Sequence, residues 1–178
     1  MTSPSPPPAP IIVSALFGRE DFLWLDGLRR AHFPAERNQL DAHLTLFHRL
    51  PPSLEAELKQ RLARLTHSPP PPAMVDGPLH LGRGVAMAVR SPGLALLREE
   101  LAEAFDGLLT PQDAAGWRPH VTIQNKVEPP RARALYDELA RDFQPRPLRI
   151  AGLAAWWYRG GPWEMLAQYP FRRAARPA

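Results

Sequence analysis

Two short stretches, Ala42-His43-Leu44-Thr45-Leu46-Phe47 and Arg118-Pro119-His120-Val121-Thr122-Ile123-Gln124-Asn125, carry one pattern: His-x-Thr-x with an apolar residue at each x. Successive side chains of an extended strand point to opposite faces. The pattern therefore commits each stretch to a strand whose two faces differ in chemistry. His43 and Thr45 share one face, as do His120 and Thr122. Leu44, Leu46, Val121 and Ile123 occupy the other face, toward a core. With 6 His and 44% apolar residues in 178, about 0.03 such motifs are expected by chance. Two copies therefore make a pair that demands a common cause.

Around the two motifs the chain falls into matching halves. The first reads as a strand at 11–17, a helix at 20–33, the His43 strand at 42–49, a helix started by Ser53 and running to 65, and a strand at 73–81. The second reads as a strand at 85–90, a helix from Ser91-Pro92 to Phe105, the His120 strand at 117–125, a helix at 131–142 and a strand at 148–158. Gly82-Arg83-Gly84 is a tight turn between the halves, and Gly160-Gly161 turns into a closing strand at 163–169. The order is the same in both halves, although their residues otherwise differ. The expectation is an α+β fold, residues 11–171, with lobes at roughly 11–81 and 84–158 related by a pseudo-twofold axis. Equivalent strands would then face each other and both imidazoles would line one groove.

Proline is the compositional outlier, at 23 residues, clustered in the leader and at Pro69–Pro72. Residues 1–10 read as a disordered proline-rich leader and 172–178 as a frayed tail. The chain has no cysteine, which excludes thiol nucleophiles, disulfides and thiolate zinc sites. No apolar run approaches the ~18 residues that span a bilayer. The leader lacks a basic start and an apolar segment, so a soluble cytoplasmic protein with no membrane partner is expected. The net charge of +4 is compatible with an anionic substrate.

Two imidazoles flanking a bound phosphate suit in-line displacement. One takes the proton of the attacking oxygen while the other protonates the leaving oxygen. A Thr hydroxyl two residues away can hold a non-bridging oxygen. No Ser or Cys nucleophile sits in a recognisable motif, and no carboxylate accompanies either motif at metal-ligand spacing. The chemistry read from these residues is metal-independent phosphodiester chemistry.

On His43-Leu44-Thr45-Leu46 and His120-Val121-Thr122-Ile123 the chain resembles the 2H phosphoesterase superfamily, in its bacterial 2′-5′ RNA ligase-like (HXTX) branch. The resemblance covers most of 11–171. It implies two antiparallel sheets with flanking helices and an active-site groove between lobes. It also implies cyclic phosphodiesterase or 2′-5′ RNA ligation and cleavage activity, with RNA ends or nucleotides bearing a cyclic or 2′-linked phosphate as partners. By that analogy His43 is the proton donor, His120 the acceptor, and Thr45 and Thr122 hold the phosphate. No cofactor, metal or obligate protein partner is implied.

Three further residues are candidate substrate contacts. Arg118 and Lys126 flank the second motif on alternating faces, so at most one steers phosphate. Trp156 belongs to the Trp156-Trp157-Tyr158 cluster, of which one ring has the chemistry to stack a base. His48 is expected on the strand face opposite His43, in a structural role. His32 and His67 sit near helix C-termini, where they suit the macrodipole, and His80 lies on a strand. Gly82-x-Gly84 lacks the third glycine of a nucleotide fingerprint. The alternative to an enzyme is an RNA-end or nucleotide binding module that keeps the groove without turnover.

Overall fold

The computed structural model describes residues 6–173. Among them the order is β1 (Ile11–Phe17), α1 (Arg19–His32), β2 (Leu44–Leu50), α2 (Glu55–Leu65), β3 (Pro72–His80), β4 (Val85–Arg90), α3 (Pro92–Ala104), α4 (Pro111–Ala114), β5 (His120–Gln124), α5 (Pro129–Asp142), β6 (Arg146–Trp157) and β7 (Glu164–Pro170). The fold is α+β and every strand pairing is antiparallel.

The chain signals set most boundaries. Ser91 starts α3 by accepting the Leu94 N–H at 3.2 Å, and its own hydroxyl donates to the Pro72 carbonyl at 2.8 Å. Ser53 does not cap α2: it lies inside a 3-10 turn, Pro52–Leu54, that feeds the helix. Helix α4 occupies part of the stretch expected to be loop, and Thr110 caps it by accepting the Asp113 N–H at 3.3 Å. Acidic Glu20 and Asp21 open α1 while Arg29, Arg30 and His32 close it, each charge placed favourably against the helix dipole.

The strands follow one hydrogen-bonded path, β2-β1-β6-β3-β4-β5, with β7 added on β6. The family resemblance implies two sheets. The strands instead join, because β6 is 12 residues long and serves both groups. Its first residues, from Arg146 to Arg149, pair with β3, and the remainder pairs with β1 and β7. Exchanging β1, β2 and β3 for β4, β5 and β6 reproduces the same strand order read backwards. Each half thus gives its last strand to the other: β3 pairs with β4, and β6 pairs with β1.

Leu44, Leu46, Val121 and Ile123 are fully buried in a core shared with Leu58 and Leu62 of α2 and Leu94 and Leu101 of α3. Burying each such side chain is worth on the order of 2 kcal/mol. A one-residue slip of either motif strand would expose these residues and bury the imidazoles, so the core fixes the face the histidines occupy. At the turn between the halves, Leu81 N–H donates to Gly84 carbonyl at 2.9 Å. A Cβ on Gly84 would lie 2.0 Å from the Gln124 carbonyl oxygen, so only glycine lets β4 begin this close to β5.

The ends are tied in further than expected. Ala9 is buried, the Pro10 carbonyl accepts the Tyr158 N–H at 2.9 Å, and the Arg159 guanidinium donates to the Pro7 carbonyl. The Arg172 N–H donates to the Thr66 carbonyl at 3.0 Å. The leader and tail expectations for residues 1–5 and 174–178 lie outside the described residues. No helix among the described residues is long and apolar enough to cross a membrane.

Candidate active site

The two motifs meet. His43, Thr45, His120 and Thr122 line one cavity of about 510 Å³, together with His48, Arg98, Arg118, Trp117 and Trp163. On β5 the alternation holds, with His120 and Thr122 half-buried toward the cavity and Val121 and Ile123 buried behind. The same holds for β2 up to Leu46.

Each imidazole is held in the same way. His43 Nδ1 lies 2.7 Å from the Asp41 carbonyl oxygen, and His120 Nδ1 lies 2.7 Å from the Arg118 carbonyl oxygen. A carbonyl only accepts, so in both rings the proton sits on Nδ1 and Nε2 is left free. The neutral rings therefore offer Nε2 as a base, and the protonated rings offer Nε2–H as an acid. Desolvation by burial lowers the His43 pKa to about 4, with Arg29, His120 and His48 contributing by charge and the Asp41 carbonyl opposing. At neutral pH His43 is uncharged.

Two buried arginines brace the motif strands. Arg29 of α1 donates through Nε to Asn38 Oδ1 and the Leu40 carbonyl, and through a terminal nitrogen to the Thr122 carbonyl at 2.8 Å. Three residues earlier on the same helix, Asp26 accepts the Ala42 N–H at 2.9 Å. One turn of α1 thus grips both motifs, one by its amide and the other by its carbonyl. Arg98 of α3 donates to the Leu46 carbonyl at 3.0 Å and to the Asp113 carbonyl at 2.6 Å. Trp117 Nε1 donates to the Thr45 carbonyl at 3.0 Å. Burial lowers the pKa of both guanidinium groups, opposed by Asp26 and Asp41 at Arg29 and by Asp113 at Arg98. Arginine keeps its charge in such settings, so both supply positive charge beside the strands, Arg98 at the cavity itself.

His48 is a correction. It lines the same cavity as His43, not the opposite face. The reason is an irregularity in β2: Ser14 pairs with Thr45 and Val13 with Phe47, one step on β1 against two on β2. Leu46 and Phe47 are both fully buried, the phase of the strand shifts, and His48 turns back toward the groove. Its Nδ1 lies 3.0 Å from Asp113 Oδ1, and Asp113 also accepts the main-chain N–H groups of His48 and Arg49 at 2.8 and 2.9 Å. Burial resists ionisation of Asp113, but these hydrogen bonds outweigh it and hold the carboxyl below its ordinary value.

The remaining candidates separate. Arg118 is exposed on the main cavity. Trp156 faces a second cavity of about 310 Å³ with Phe17, Phe22, Leu40 and His43, and its Nε1 donates to Ser14 Oγ at 2.8 Å. Lys126 lines a third, of about 330 Å³, with Arg29, Arg37 and Tyr158. Trp163 borders all three cavities. Its ring lies 4.5 Å from the His43 ring and 6.0 Å from Trp156. The sequence marks Trp163 only as the start of a strand, and a glycine-rich turn followed by an aromatic residue was the one signal available. His80 stays away from the groove, edge-on to Tyr136 at 5.7 Å. Among the described residues no three His, Cys, Asp or Glu side chains gather as a metal ion would require.

The sequence profile of the 2′-5′ RNA ligase superfamily matches residues 17–162, well over half of the chain, and the chain belongs to that superfamily. Its fold is similar to that of TT0787 from Thermus thermophilus, at TM-score 0.62 and 17% identity, covering 93% of this chain and 100% of that one. It is about as similar to E. coli LigT, in apo form (TM-score 0.61, 16% identity, 94% and 100% covered) and in complex with 3′-AMP (TM-score 0.61, 17% identity, 94% and 100% covered). LigT has also been crystallised with NADP+, phosphate and ATP. No curated protein sequence matches the chain.

Proposed function

We propose that the chain is a metal-independent phosphodiesterase that acts on 2′,3′-cyclic phosphate or 2′-5′ linked RNA or nucleotide substrates by two-histidine general acid/base catalysis. The observation that carries this reading is the matched pair of imidazoles in one cavity, each pinned by Nδ1 to the carbonyl two residues before it. In this reading residues 11–171 form two related lobes with the groove between them. The substrate phosphorus sits between the two Nε2 atoms, and the Thr45 and Thr122 hydroxyls donate to its non-bridging oxygens. His120 takes the proton of the attacking water and His43 gives one to the leaving oxygen.

The donor role asks something of His43, which is neutral at neutral pH. A phosphodiester anion bound beside it favours the imidazolium and raises the pKa from about 4 toward the working range. Substrate binding and proton uptake by His43 are then one event. Arg29 and Arg98, positive and held beside the strands, favour the anion. The Trp156–Trp163 cleft beside His43 offers apolar faces to a nucleobase, which supports a nucleotide over a bare phosphate ester.

The test is turnover of nucleoside 2′,3′-cyclic phosphates and 2′-5′ linked oligomers with EDTA present. His43→Ala and His120→Ala should each lower kcat by about 10²- to 10⁴-fold, the usual worth of a placed acid or base. Undiminished activity in either variant would sink the assignment. The binding-module alternative rests on the same groove and predicts salt-sensitive binding of RNA ends with no product.

A further inference from the structure

The groove holds a third imidazole that the twin motifs do not account for. The three rings differ in what holds Nδ1. His43 and His120 donate to main-chain carbonyls, whereas His48 donates to a carboxylate whose side chain is wholly buried, Asp113. A carbonyl orients a ring; an ionised carboxylate also stabilises its positive charge. His48 is therefore the one ring of the three whose Nδ1 is backed by a carboxylate, which suits it to hydrogen-bond an anion. Its own side chain is 41% exposed and borders the cavity.

The surroundings agree. Arg98, buried and hydrogen-bonded to the Leu46 and Asp113 carbonyls, lines the same cavity, as do Gln112 and Arg118. Among the described residues Asp113 is the one carboxylate in contact with His48, and its buried side chain is not part of the cavity lining. His48 stands three residues beyond Thr45 on β2, and because the irregularity uses up one of those steps it lies roughly 7 Å along the strand. That is about one nucleotide unit from the phosphorus site between the motif histidines.

We propose that the His48–Asp113 pair, with Arg98 beside it, is a subsite for a second phosphate of the substrate, one nucleotide unit away from the phosphate that reacts. The subsite rests on the phosphodiester reading for where the first phosphate lies. It selects nucleotides that carry a further phosphate over those that carry one.

Adenosine 3′-monophosphate and adenosine 3′,5′-bisphosphate, titrated calorimetrically at one salt concentration, test this on the whole protein. Wild type should bind the bisphosphate about tenfold more tightly than the monophosphate, as expected for a charge-assisted hydrogen bond, and in His48→Gln the ratio of the two dissociation constants should fall toward one. A wild-type ratio near one, or the same ratio in both proteins, overturns the proposal. Nitrogen resonances of the wild-type His48 ring give a reading that needs no variant. They should shift with the bisphosphate and not with the monophosphate, and equal shifts overturn it. Binding requires no turnover, so absence of cyclic-phosphate cleavage would fail the reaction reading while leaving this ratio to decide the subsite.

Discussion

His43 carries a cost that can be read from stability. Burial holds its folded-state pKa at about 4, while the unfolded imidazole takes a proton near ~6.5. Between those values the unfolded chain binds a proton that the folded chain does not, so stability present above pH ~6.5 is lost as the pH falls toward 4. Asp113, with its pKa lowered, adds a second loss at more acid pH, when its carboxylate is finally protonated. Replacing His43 by Gln removes the first of these. Melting temperatures measured from about pH 7.5 to about 4.5 should converge or cross, the variant losing less than wild type on acidification. Parallel curves would mean that the ring titrates normally. The same group explains why substrate binding should take up protons near neutral pH, since an anion in the groove reverses the penalty that burial imposes.

At the scale of elements, α1 is the part on which the active site depends most. Asp26 and Arg29, on one face of one helix, hold the amide before His43 and the carbonyl of Thr122. Arg29→Met keeps the length of the side chain and removes its three hydrogen bonds. It should destabilise the protein by on the order of 3 kcal/mol, because buried carbonyls lose a charged donor. It should also lower kcat by more than the loss of stability alone would explain, because the two motifs lose their common brace. Denaturant unfolding and steady-state kinetics on one preparation separate the two effects, and a purely proportional loss would assign Arg29 to stability alone.

Both motif strands, four of the five helices and the apolar backing of the histidines were legible from the sequence's strand and helix periodicities. The phase of His48 was not, because strict alternation carries it to the wrong face and the irregularity that returns it comes from packing Leu46 and Phe47 side by side. The union of the strands through β6 was equally hidden, since a strand's length does not say how many partners share it. Arg29, Arg98 and Trp163 were lost among 20 arginines and five tryptophans, whose roles depend on distant partners such as Thr122, Leu46 and His43.

Over the whole molecule, the reversal symmetry of the strand order has a practical meaning. Because β3 lies against β4 and β6 against β1, a cut in the turn at Gly82 leaves two pieces that each expose the edge where the other's strand belonged. Neither piece, 1–81 or 82–178, should hold its tertiary structure alone, and each should give a poorly dispersed amide spectrum. Mixed at equal concentration they should assemble into a one-to-one complex with the dispersion of the uncut chain; independent folding of either piece would refute this. The groove would then return together with the complex, since one imidazole resides on each fragment. A protein arranged in this way is a natural split reporter, its groove missing from either half and restored only where two fusion partners bring them together.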